Sequence, residues 1–156
     1  MMDWLPWAPL LAASLHIGEE FLVPGGFLTW YRRYRADPSR ITPRFLLIVN
    51  AVLLAVCCNI GFLGRSPLGI AYWLTISALL FSNGCWHAWA SYKSHTYSPG
   101  VVTGVTICLP LATYGYSQFV RSGAASIETA AVAGVLGGSY QLWSAAYHGL
   151  FKKTGK

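Results

Sequence analysis

The sequence predicts an all-α, polytopic membrane helix bundle with about five transmembrane helices. Three observations predict it. The chain of 156 residues is 54% hydrophobic and only 10% charged, where a soluble domain carries about 25% Asp, Glu, Lys and Arg. Five apolar runs, at 4–23, 45–63, 68–91, 100–120 and 127–151, each approach or exceed the roughly 20 residues needed to cross a hydrocarbon core. Seven Trp and nine Tyr supply the amphipathic rings that collect at membrane interfaces. The length suits one transmembrane helical domain over residues 1–156.

Short polar connectors separate the runs: RRYRADPSRITPR, GRSP, YKSHTYSP and RSGAAS. Arg32, Arg33, Arg35, Arg40 and Arg44 lie in the first, Lys93 in the third, and Lys152, Lys153 and Lys156 in the tail. Only Arg65 and Arg121 fall on the other side. The positive-inside rule therefore predicts the N-terminus outside and the C-terminus cytoplasmic, which an odd number of spans requires. The first run has no basic leader, and its positive cluster follows it, so it reads as a retained span rather than a cleavable signal. The expected location is a multi-pass integral protein of the cell membrane or an endomembrane. A net charge of +6 does not imply a nucleic-acid partner, since no basic helix or aromatic-basic platform carries it.

Smaller features refine the elements. PGG at residues 24–26 interrupts or ends the first helix, and Pro110 is expected to kink the fourth. Gly100 with Gly104, and Ala130 with Gly134 and Gly138, form small-residue ladders read as packing surfaces. Assembly into a homo-oligomer stays open. Cys57, Cys58, Cys85 and Cys108 all lie in apolar runs without a CxxC pair; Cys57, Cys58 and Cys108 read as small buried hydrophobes, and Cys85 is kept in reserve for the site. Only Cys85 lies next to polar neighbours.

The candidate site comes from the polar residues inside these runs. His16, Glu19 and Glu20 share one helix face at spacings of three and four. Asn83 and His87 are an i, i+4 pair in the third run, and Gln141, Tyr147 and His148 lie late in the fifth. In the expected topology all of these fall in one leaflet. A charged side chain at mid-span costs roughly 2.5–3.5 kcal/mol, and no Lys or Arg lies inside a run to pair with either glutamate. Protonation, an imidazolium or a bound cation must neutralise them. His and Glu converging from several helices are the ligands a metal would use, so the expected metal set is His16, Glu19, Glu20, His87 and His148. Two carboxylates are few for a di-iron centre. A single divalent metal, zinc or iron, suits the inventory better. Gln141 and Asn50 read as structural, and His95 as solvated.

The stretch LHIGEE, with His16, Glu19 and Glu20, resembles the signature of the small HXXEE-motif integral membrane proteins. NGCWHAWASYKSHTYSPGVVTG is also similar to that family, with Asn83 and His87 in a helix, then Pro99–Gly100 and Thr103. The resemblance implies a compact multi-span protein in which His16, Glu19 and Glu20 are functional. It supplies no reaction.

Three functions compete. The first is a metal-dependent enzyme acting by hydrolysis or isomerisation on a hydrophobic or lipid substrate, with His16, Glu19 and Glu20 catalytic. Asn83, Trp86 and Tyr147 would line its substrate cavity, and a glutamate left free would act as general base. The second is a metal-free acid–base isomerase or cyclase. The third is non-enzymatic: a small transporter, or a scaffold subunit in which the His–Glu contacts only fix helix register.

Overall fold

The computed structural model of the chain describes residues 4–23, 25–34 and 41–148; among them every regular element is helical and none is a strand. A 3₁₀ turn, Leu5–Trp7, leads into α1 (Ala8–Leu22). Then come α2 (Gly26–Tyr34), α3 (Pro43–Leu63) and α4 (Pro67–Ser94). The fourth apolar run divides into α5 (Val101–Thr103), a π-helical stretch Gly104–Cys108, and α6 (Leu109–Arg121). The fifth gives α7 (Ile127–Gly138) and α8 (Tyr140–His148).

Local chemistry sets the starts. Thr42, Ser66 and Ser126 cap α3, α4 and α7 by accepting from Phe45, Gly69 and Thr129 N–H groups. Proline follows the first two caps, where its missing N–H costs nothing. Pro110 lies just beyond the π-helical stretch. A proline ring clashes with the carbonyl four residues back and leaves it without a donor, and a wider turn at that point relieves both. The expected kink is therefore a π-turn.

Among the described residues, only α3 and α4, with 21 and 28 residues, are individually long and apolar enough to cross a membrane. α1 has 15 residues, and the fifth run breaks at Ser139 after Gly137 and Gly138, two residues that weaken a helix. Of the about five transmembrane helices expected, α3 and α4 are supported individually. The sequence also gave no sign of α2, whose Trp30 and Tyr31 are buried against Ile41 and Ala90.

Packing orders the helices. Trp73 Nε1 donates to Leu5 O at 2.8 Å, joining the beginnings of α1 and α4. Trp7 lies edge-on to Phe62 near the end of α3, and Phe119 of α6 meets Trp73. So α1, α4 and α7 run one way, and α3 and α6 the other. One end of the bundle is an apolar cluster of Leu5, Ile60, Ile70, Trp73 and Phe119 with its neighbours. A second apolar layer follows around Ala13, Cys57, Leu80 and Cys108. The polar residues come next, at the far end. Many large apolar side chains face outward, among them Leu47, Val52 and Phe62 on α3 and Val135 and Leu142 on α7 and α8.

The small-residue ladder of α7 uses a different face from the expected one. Ala130, Ala133 and Gly137 are its buried residues. A Cβ at Gly137 would overlap Thr75 O and come within 2.8 Å of Ala78 and of Leu79 N, whereas Gly138 has nothing within 4 Å. Gly137→Val is therefore expected to separate α7 from α4 and destabilise the fold by about 1–3 kcal/mol or more. Gly138→Ala should leave stability unchanged or raise it by about 0.4–1 kcal/mol. Thermal unfolding of both variants in detergent checks this; equal effects would contradict the packing.

Candidate metal centre

The site is built where α1 and α4 end and the fourth run begins. One turn of α1 places His16 and Glu20 on the same face, toward α4, with both side chains buried. α4 supplies Asn83 and His87, the latter fully buried. After Ser94 the chain turns through His95, in the left-handed conformation at φ 52°, and returns beneath the two imidazoles at Ser98–Thr103. α2 closes the far side, with the Phe27 ring 5.3 Å from that of His87.

Glu20 Oε1 lies 3.2 Å from His87 Nε2 and 3.7 Å from His16 Nε2. His87 Nε2 is buried and makes no hydrogen bond. The three residues can each offer a ligand atom within 4.8 Å of the others. Donor atoms at about 2.0–2.1 Å from one tetrahedral zinc stand roughly 3.3 Å apart. The Glu20–His87 pair already has that spacing, and His16 Nε2 stands 3.7 Å from the same carboxylate oxygen. The set fits a two-histidine, one-carboxylate site with a further position open.

Each imidazole is held from behind. His16 Nδ1 bonds Thr103 Oγ1 at 2.9 Å, and His87 Nδ1 bonds Ser98 Oγ at 3.0 Å. Ser98 is itself fixed by its N–H to Ser91 Oγ. On the near side, Asn83 Nδ2 bonds His16 Nε2 at 2.9 Å, while Gln141 Nε2 donates to Asn83 Oδ1 at 2.6 Å. Such outer partners orient metal-binding histidines and raise their basicity.

Glu19, expected among the metal ligands, points the other way. One residue along a helix is a rotation of about 100°, and this takes its carboxylate to the turn at 97–103. Oε1 accepts from Gly100 N and Val102 N, both at 3.0 Å, and from the Tyr97 hydroxyl. Oε2 accepts from Thr103 N at 2.7 Å and Thr103 Oγ1 at 2.5 Å. Desolvation, then the Glu19 bond and charge, push the Tyr97 phenol up to about 12, so it remains a donor at neutral pH.

The other expected residues sort as follows. Asn83 and Trp86 line a cavity of about 250 Å³ that opens beside His16 and Glu20. Asn50 and Gln141 line it too. The side chains of Tyr147 and His148 lie outside the described residues. His95 is exposed, and so is Cys85, which therefore has no part in the site. Cys57 and Cys108 are buried. Thr103, Ser98 and Gly100 were not expected in these roles. Their nearest signal was the PG–Thr pattern after the Asn83–His87 pair.

Gly100 is doubly constrained. Its φ of 102° disfavours any side chain, and a Cβ would come within 2.8 Å of His87 and 2.9 Å of His16. The second glycine of that pair, Gly104, packs against Gly84 as the ladder implies. Gly100→Ala should push both imidazoles aside. The expected result is a folded protein whose affinity for a divalent metal falls at least tenfold, measured by metal titration; unchanged affinity would show that the rings do not rest on Gly100.

No curated protein and no solved structure matches the chain. One family model does, over residues 7–115, a stretch that includes α1, α4 and the turn beneath the imidazoles, with His16, Glu19 and Glu20 in its named pattern. The chain belongs to the family described as proteins of unknown function with an HXXEE motif.

Proposed function

We propose that this is a five-span membrane protein in which His16, Glu20 and His87 hold one divalent metal, zinc or iron(II), and that it is an enzyme acting by hydrolysis or isomerisation on a hydrophobic or lipid substrate. The observation that carries the reading is the convergence of two imidazole nitrogens and a carboxylate, all buried, on one point beside an apolar cavity.

The membrane part rests on the outward-facing aliphatic side chains, since exposed apolar surface of this extent needs lipid or a partner. Five apolar helical stretches and the one-sided Lys and Arg distribution support the N-outside, C-cytoplasmic topology. That topology places the metal group near the cytoplasmic leaflet. The apolar layers at the other end hold no ionisable path among the described residues, which argues against a transporter.

The substrate reading rests on the cavity. Leu46, Val49, Leu53, Leu79 and Leu80 supply apolar walls, and His16, Glu20 and Asn83 supply a polar end. A hydrophobic chain would lie along the first set, with its polar group at the second. A bound divalent metal would contribute Lewis acidity and activation of a water. Glu20 balances the metal's charge, Asn83 offers an amide N–H to a substrate oxygen, and Trp86 shields the polar end from water.

A second reading has its own observation. Glu20 Oε1 and His87 Nε2, 3.2 Å apart, are close enough to share a proton, which suits a metal-free acid–base isomerase. Elemental mass spectrometry of the detergent-purified protein separates the two. Near-stoichiometric zinc or iron, lost at least tenfold in His16→Ala, His87→Ala and Glu20→Gln, is the expected result. A folded wild type that carries and takes up no metal would overturn the metal reading in favour of acid–base chemistry.

A further inference from the structure

We propose that Glu19 is a positioning residue: through Thr103 it fixes His16 as the Nδ1–H tautomer, so that Nε2 keeps its lone pair for the metal. The inference deepens the metal reading above and rests on it for its purpose, though not for its geometry.

The hydrogen-bond inventory leaves little choice. A threonine hydroxyl has one proton to give. Thr103 Oγ1 lies 2.5 Å from Glu19 Oε2, and a carboxylate has none to give back. The competing acceptor, Gly100 O, is at 3.5 Å. The proton therefore goes to Glu19, and toward His16 Nδ1 at 2.9 Å the hydroxyl oxygen accepts. So Nδ1 carries the hydrogen. The contacts at the other ring nitrogen agree with this. Asn83 Nδ2 can only donate, and at 2.9 Å it faces His16 Nε2, which must offer a lone pair. Gln141 Nε2 donates to Asn83 Oδ1 at 2.6 Å in the same arrangement, and the two amides can turn together if the ring changes its tautomer.

The consequence is an unusual meeting of acceptors. His16 Nε2, with a lone pair, lies 3.7 Å from Glu20 Oε1, and no proton belongs between them. That pair of acceptors is suited to a cation, with the Asn83 amide the donor that now serves His16 Nε2. Without the Glu19 carboxylate, Thr103 would be free to donate to Nδ1. His16 would then switch to the Nε2–H tautomer and donate to Glu20, which closes the metal position. The three backbone N–H groups that Glu19 also receives, from Gly100, Val102 and Thr103, hold the turn in the register this relay needs.

The test combines ¹⁵N-histidine NMR of the full chain in detergent with a cobalt(II) titration followed by visible absorbance, His16 being assigned from the His16→Ala spectrum. In the metal-free wild type His16 is expected as Nδ1–H. In Glu19→Gln and in Thr103→Val the Nε2–H form should appear, and cobalt affinity should fall about 10–100-fold. Thr103→Ser, which restores the hydroxyl, should recover both. Folded Glu19→Gln and Thr103→Val proteins with wild-type tautomer and affinity would overturn the proposal. So would a wild type whose His16 is Nε2–H, a result that needs no variant to fold. If the wild type shows the Nδ1–H form, loses it in both variants and yet binds no cobalt, the relay stands and the metal reading falls.

Discussion

A carboxylate among apolar helices requires donors, and the way Glu19 obtains them organises the polar end of this molecule. Among the described residues no lysine or arginine pairs with it; instead the chain bends back after α4 and brings three backbone N–H groups and two hydroxyls to one side chain. Charge-assisted hydrogen bonds of this kind are roughly twice as strong as neutral ones, and they are formed across a sequence separation of about eighty residues. Their formation specifies where the fourth helical run begins. It also specifies what lies above that point: Gly100 under both imidazoles, Thr103 against His16 and Ser98 against His87.

Adjacent glutamates in one helix cannot perform the same task, because a step of about 100° sends them to different neighbours. Glu19 meets the turn and is saturated with donors. Glu20 meets two histidine nitrogens and receives no conventional hydrogen bond among those described, which leaves it available to a cation. The sequence shows the need to neutralise two carboxylates. It does not show that the two solutions differ, since that depends on where α4 and the returning turn lie.

The same distinction separates the legible features from the hidden ones. The apolar runs are long and the caps conventional, so helices at 45–63 and 68–91 follow from composition and spacing. The clustering of His16, Glu20, Asn83 and His87 at one end follows from assigning alternate directions to successive runs. By contrast, α2 is nine residues long and lies in a stretch dominated by its arginines, so its buried Trp30 and Tyr31 show no conclusive period. The π-turn before Pro110 and the choice of Gly137 over Gly134 and Gly138 are settled by contacts with α4. Thr103 and Ser98 look like ordinary connector residues until the imidazoles they face are in place.

Taken together, these contacts hold both imidazoles from behind and from below. His16 is gripped at Nδ1 and His87 at Nδ1; Gly100 lies below them, and Phe27 beside His87. On the inner side stand the Glu20 carboxylate and the Asn83 bond to His16 Nε2, and an amide hydrogen bond is easily exchanged for a stronger partner. His87 Nε2 is buried and faces the Glu20 carboxylate at 3.2 Å. That nitrogen, a second imidazole and a carboxylate bring three potential ligand atoms within 4.8 Å of one another, the feature on which the proposed metal site rests.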